Sequence, residues 1–194
     1  MPRAALLIAL CSLSALAEPR TGAPFEISSR VGAAIPITGN GLQASASTAL
    51  KLGYGLPFES RLQVFAELLY AAPAVTVGEG ALRSTVTLHD FAPTVGLTFF
   101  LIPPPSRLTP WISAGLRMHL LRAVQSLPGL SGGSAYEEAD TRMGGFFTLG
   151  CGLRVGPGRF VLEVTMNELT VRQRITGEAN ATTVSVLGGY GFVF

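Results

Sequence analysis

The chain has 194 residues, with 14 basic against 12 acidic side chains and a formal net charge of +2. Only 13% of its residues are charged and 48% are apolar, whereas a water-soluble domain carries about 25% charged residues. The composition argues against an ordinary soluble globule, and the near balance of charge gives no case for a nucleic-acid partner.

The segment 1–17 stands apart. Arg3 makes a short basic start, and Ala4 to Leu16 is an apolar run of signal-peptide length, too short to cross a bilayer as a helix. Ala15 and Ala17 frame an A-x-A site, which places cleavage before Glu18 and leaves 18–194 as one domain. Cleavage removes Arg3 and no acid. The remaining chain has one cysteine, Cys151, so the domain has no internal disulfide. No run of about 18 apolar residues follows, which excludes a spanning helix. High apolar content without a spanning helix is what a membrane barrel shows, because each strand gives only every second residue to lipid.

The predicted elements are eight strands. The first covers about Phe25 to Ile37, with Ser29, Val31, Ala33 and Ile35 on one face and Glu26, Ser28, Arg30 and Gly32 on the other. A loop at Thr38 to Gly41 leads to the second, Ala46 to Leu56, where Leu50, Leu52 and Tyr54 oppose Ala49, Lys51 and Gly53. A tight turn gives the third, Arg61 to Val75, with Leu62, Val64 and Leu68 against Gln63, Phe65 and Glu67. The fourth spans Ser84 to Ile102 and ends at three prolines. The fifth, Pro110 to Gln125, alternates Ile112, Ala114, Leu116, Met118 and Leu120 with Trp111, Ser113, Gly115, Arg117 and His119. The longest loop is expected at Leu127 to Asp140. The sixth strand follows at Thr141 to Val155, with Cys151 on its apolar face. The seventh covers Arg159 to Arg174, with Leu162 and Val164 against Glu163 and Thr165. A loop at Thr176 to Ala181 precedes the last strand. Pro36, Pro73 and Pro93 each remove a ladder donor and are expected as bulges or strand ends toward one rim.

The last strand, Thr182 to Phe194, sets Phe194, Phe192, Tyr190, Gly188, Val186 and Val184 on one face and mostly small residues on the other. The connections after the second, fourth and sixth strands are compact, and those between are longer. Phe25, Phe58, Phe99, Trp111, Phe160, Phe192 and Phe194 fall near the short-turn ends, and Tyr70 near the opposite rim, as interfacial girdles would.

A chain ending on an aromatic alternating strand resembles the small bacterial outer-membrane β-barrel family, the OmpA-, OmpX- and OmpW-type eight-stranded barrels. The resemblance covers the whole mature chain in architecture. Only the signal segment and the terminal strand carry it as motifs, and the latter departs from the pattern at Gly188. It implies an all-β, antiparallel, up-and-down transmembrane barrel in the outer membrane of a Gram-negative cell, monomeric and surrounded by outer-membrane lipids. It also implies that Tyr190, Phe192 and Phe194 are the signal read by the barrel assembly machinery. Roles in envelope integrity, surface interaction or passage of small solutes follow from the same likeness.

The faces leave one alternative fold. A secreted lipocalin-like carrier would place the large apolar side chains inside around a ligand. A lipid-modifying enzyme of the same shape is the functional alternative. It needs a nucleophile beside an oriented His, and the lipid A deacylase pattern of His and Ser two apart is absent, because Leu120 and Leu121 follow His119. No catalytic residue, metal ligand set or cofactor is expected, and the glycines lie in strands without the Lys-Ser/Thr of a phosphate loop. With the polar face inward, Arg30, Lys51, Glu67, Arg117 and Glu163 stand about four to seven residues above the short-turn ends, in one band of a narrow lumen. Buried charges need partners. The expectation is a salt-bridge plug in which Arg117 meets Glu67 or Glu163 and one base is left over.

Overall fold

The computed structural model describes residues 25–37, 43–77, 84–126, 134–168, 170–173, 177–180 and 182–194. The segment 1–17 and the cleavage residues Ala15, Ala17 and Glu18 lie outside them. Eleven strands follow one another: β1 Phe25–Pro36, β2 Ser45–Leu56, β3 Glu59–Ala71, β4 Ala74–Val77, β5 Ser84–Phe100, β6 Leu108–Ser126, β7 Ser134–Val155, β8 Gly158–Glu168, β9 Thr170–Gln173, β10 Gly177–Asn180 and β11 Thr183–Val193.

Eight of these, β1, β2, β3, β5, β6, β7, β8 and β11, pair with their neighbours in an antiparallel ring. The ring closes where β11 returns to β1, from Glu26 opposite Val193 to Pro36 opposite Thr183. Closure gives each of the eight strands a partner on both sides and leaves no open edge inside the ring, the condition for a sheet to stand in lipid. Short turns join β2 to β3, β5 to β6 and β7 to β8 at the end where Phe25 and Phe194 exchange backbone bonds. At the other end the β1–β2, β3–β5 and β8–β11 connections are longer, while the one between β6 and β7 matches that between β5 and β6 at seven residues.

Period-two alternation sets the two faces. In β2 buried and exposed residues alternate from Ser47 to Gly55. Val31, Leu50, Leu52, Val95, Leu97, Leu116, Leu149, Leu162 and Met166 are exposed on the outer face. Arg30, Ser47, Thr98, Ser113, Arg117, Thr165 and Ser185 are buried on the inner one. An apolar belt of this extent, wrapped round a closed barrel with its polar side chains inside, is a lipid-facing surface. It excludes the lipocalin-like arrangement, whose faces are the reverse.

The inner face is layered. At the short-turn end Phe100, Trp111 and Val161 pack together, with the rings of Phe100 and Trp111 edge-on at 6.1 Å. The charged band lies above them. Toward the long-loop end come Ala34, Ala49, Leu69, Ala71, Ala92 and Leu187, then Val86, Leu88, Leu121 and Ala123.

Several expectations change. The wall from Ser134 to Asp140, expected as loop, is strand, because β6 runs far enough to pair with it from Leu121 opposite Asp140 to Ser126 opposite Ser134. The seventh expected strand divides: β8 stops at Glu168, and β9 pairs with β10 in the stretch expected as loop. Pro36 ends β1, and Pro73 separates β3 from β4. Pro93 instead lies inside β5, where the ladder to β6 is interrupted between the Phe91–Leu120 and Thr94–Arg117 pairs. Trp111 is no girdle residue. It is only 3% exposed, and its ring fills the lumen above Gly150, where an added Cβ would lie 2.3 Å from the indole. Phe58 and Phe160 do stand exposed at that end, and Tyr190 stacks edge-on between Phe160 and Phe192 at 5.1 and 5.0 Å.

Candidate functional site: a charged plug in the lumen

Strand alternation alone delivers the five expected charges to the interior: Arg30 from β1, Lys51 from β2, Glu67 from β3, Arg117 from β6 and Glu163 from β8. Sheet register sets their heights. Lys51 stands opposite Glu67, Glu67 opposite Thr94, and Thr94 opposite Arg117, so one lateral row crosses four strands. The side chains then reach across the narrow lumen and join. Arg117 Nη2 lies 2.7 Å from Glu67 Oε1, and Arg30 Nη2 lies 2.6 Å from Glu67 Oε2. Arg30 Nη1 donates to Glu163 Oε2, whose other oxygen is 3.7 Å from Lys51 Nζ. The result is one continuous chain: Arg117, Glu67, Arg30, Glu163, Lys51.

Neutral groups complete it. Arg117 donates through Nε to Thr94 Oγ1 at 2.8 Å and through Nη1 to Asn167 Oδ1, and its guanidinium stands over the Phe146 ring. Glu67 therefore holds two guanidiniums, and both are nearly free of solvent, at 2% and 1% exposure. Ion pairs in so dry a place are weakly screened. Lys51 is the loosest member. Its Nζ makes a 3.4 Å bond to Thr98 Oγ1 and sits 4.1 Å over the Phe65 ring. With three bases and two acids in the band, Lys51 is the base left with the weakest acid contact.

Two further polar clusters flank the plug. Toward the short-turn end, Arg159 grips Glu26 through Nε and Nη2, and Gln63 donates to the same carboxylate at 3.1 Å. The Arg159 guanidinium stacks over Phe100 and Trp111. Toward the other end, His119 Nδ1 lies 2.8 Å from Asp90 Oδ2. The alternation of the first strand already turns Glu26 inward, but its partner on β8 depends on barrel closure. His89 is elsewhere, on the outer rim, 2.8 Å from the Tyr70 hydroxyl. Neither histidine has a Ser or Thr hydroxyl on its second ring nitrogen among the described bonds. His119 Nε2 is buried without a partner among the described residues.

Closed antiparallel pairing, an apolar outer belt and a charged, side-chain-filled interior make this chain a small eight-stranded transmembrane barrel of the outer-membrane type. Among solved structures it is similar to neisserial surface protein A, with a TM-score of 0.62 and 16% identity over 88% of this chain and 97% of that one. It is also similar to OprG of Pseudomonas aeruginosa, with a TM-score of 0.56 and 14% identity over 89% and 96% of the two chains. For Ail, the attachment invasion locus protein of Yersinia pestis, the TM-score is 0.53 at 15% identity over 89% and 100%. No protein-family profile matches the chain, and no curated protein sequence is similar to it.

Proposed function

We propose that this protein is a non-enzymatic integral barrel of the outer membrane whose lumen is closed, and that it serves the envelope through its wall and external surface. The observation that carries this reading is the unbroken chain from Arg117 to Lys51. It fills the bore with paired charge and is backed on one side by the Phe100–Trp111–Val161 layer and on the other by the Ala34–Leu187 layer. An eight-stranded interior is just wide enough for side chains to fill.

The A-x-A site before Glu18 supports export. The aromatic ladder of Tyr190 and Phe192, with Phe194 closing on Phe25 through a 2.8 Å backbone bond, supports recognition by the assembly machinery. With both ends of the described chain at the short-turn rim, that rim faces the periplasm.

The test has three arms. Cell fractionation should place the protein in the outer membrane. In planar bilayers the purified barrel should pass no steady ionic current beyond background, and it should turn over neither lipid A nor phospholipid. Stable conductance in the wild type would refute the closed lumen.

A further inference from the structure

We infer that the short-turn mouth of the barrel is a binding site for a small anion bearing a compact apolar group, an alkyl carboxylate or alkyl phosphate. A cavity of about 90 Å³ opens there. Its walls are apolar, from Leu56, Leu62, Phe100 and Pro104, and its polar floor is Glu26, Gln63 and Arg159. A dry cavity of about 150 Å³ holds benzene, so this one takes an apolar group of about four heavy atoms.

The charge comes from the rim. Leu108 and Leu153 are register partners and both are exposed on the outer face. Arg154, one residue further toward the mouth on β7, therefore falls on the lumen side, and its amide bonds the carbonyl of Arg107, in the bend before β6, at 2.8 Å. Arg154 is in turn the register partner of Arg159. Three arginines thus stand in one lateral row across three neighbouring chain segments.

Only two side-chain carboxylates, Glu26 and Glu59, stand at this mouth among the described residues. Glu26 is already committed, because both its oxygens accept from Arg159 and one also accepts from Gln63. Arg154 Nη1 finds only the Pro105 carbonyl, at 3.2 Å, and Pro105 adjoins the cavity wall at Pro104. Arg107 has no carboxylate within ion-pair distance among the described residues. Arg159 is the guanidinium that lines the cavity, and Arg154 stands beside its Pro104 wall with no carboxylate in ion-pair distance among the described residues; an apolar pocket with such a base at its edge is complementary to an anion with a short hydrocarbon part. The site is independent of whether the lumen above it conducts.

Trp111 reports on this pocket. It is the single tryptophan of the chain, and its ring is 5.3 Å from the Arg159 guanidinium. The refolded barrel in zwitterionic lipid nanodiscs is titrated with butyl phosphate and with pentanoate while the Trp111 indole N–H resonance is followed. The expected result is a saturable shift with at least one of the two, the tighter identifying phosphate or carboxylate. Butanol and inorganic phosphate should each bind at least tenfold more weakly. The double variant R107Q/R154Q should weaken the amphiphile at least tenfold. Both side chains are exposed, so the variant should keep the wild-type heat-dependent gel mobility. The inference is overturned if no saturable shift occurs, if the double variant binds as the parent does, or if inorganic phosphate alone binds equally well.

Discussion

Glu67→Gln is the sharpest perturbation of the plug. Glu67 is the only carboxylate bonded to Arg117 among the described residues, and it shares Arg30 with Glu163. The amide keeps the shape and one acceptor oxygen but turns two N–H donors on guanidiniums that are themselves only donors. Arg117 retains Thr94 and Asn167, both neutral, and Arg30 retains Glu163. The band then holds three bases against one acid. Breaking a buried pair by removing one partner costs about 3–5 kcal/mol, because the surviving charge stays buried without compensation. Part of that is recovered if water enters, so the lower end, about 3 kcal/mol, is the expected loss. It is read from reversible urea unfolding of the barrel in liposomes. The double variant E67Q/R117Q should be less destabilised than the sum of the single changes, with a coupling of about 2 kcal/mol. Transient conductance should appear in E67Q alone. A loss below about 1 kcal/mol, with no coupling to Arg117, would refute the claim that these charges close the lumen as a unit.

Lys51→Met tests the surplus base: its acid contact is long and its replacement apolar, so stability should change by less than about 1 kcal/mol. A cost matching that of E67Q would show that Lys51 is not the spare charge. Leu116, exposed at mid-wall, should cost about 2–4 kcal/mol when replaced by Arg in liposome unfolding. Gly115→Ser, on the inner face, should cost at least about 1–3 kcal/mol by overpacking, since an added Cβ would lie 2.2 Å from the Val95 carbonyl. If G115S proves neutral, the packing described for that wall is wrong. Phe194→Ser should lower the amount of protein reaching the outer membrane well below that of Val193→Ser, as measured on fractionated membranes. At the long-loop rim the Arg122 hydrogen bond holds the Glu137 carboxyl below its ordinary range, so the pair persists above that range and is lost as pH falls through it. Both groups are exposed, so Arg122→Gln should leave the unfolding curve at neutral pH unchanged.

Faces were legible in the sequence because a strand has a period of two: once Val31 and Leu52 lie outward, Arg30 and Lys51 must lie inward. Contacts between strands were not legible, since they depend on stagger. The row Lys51, Glu67, Thr94, Arg117 requires knowing how far each hairpin slips against the next. The Arg159–Glu26 pair lies 133 residues apart in the chain and exists only because the last strand returns to the first. Strand ends failed for a related reason. Ser134 to Asp140 carries turn-like and charged residues, yet it is held in the sheet by its partner β6, with Arg122 and Glu137 bridging on the outside. Trp111 joins no girdle because height along a strand does not fix a residue's face: it alternates with Ile112, whose side of the strand meets lipid, and so turns into the bore.

The flanking layers explain why a charged band is tolerated at mid-height. An ion pair is strong only where water is scarce, and it is costly there unless every charge is answered. The Phe100–Trp111–Val161 layer and the alanine-rich layer around Leu187 keep water from the band at both ends. Within it, Arg30, Lys51 and Arg117 outnumber Glu67 and Glu163 by one. The next carboxylate up the bore is Asp90, held by His119, two residues along β6 from Arg117. With Asp90 the band reaches three acids for three bases, and the Glu26–Arg159 pair below it is balanced within itself. The pairs themselves are spaced unequally: Glu67 binds two guanidiniums closely, while Lys51 rests on an aromatic face and a hydroxyl. Stability is therefore concentrated at Glu67 and slack at Lys51. If the bore opens at all, it should open first on the β2 side, where the weakest ion pair of the band stands.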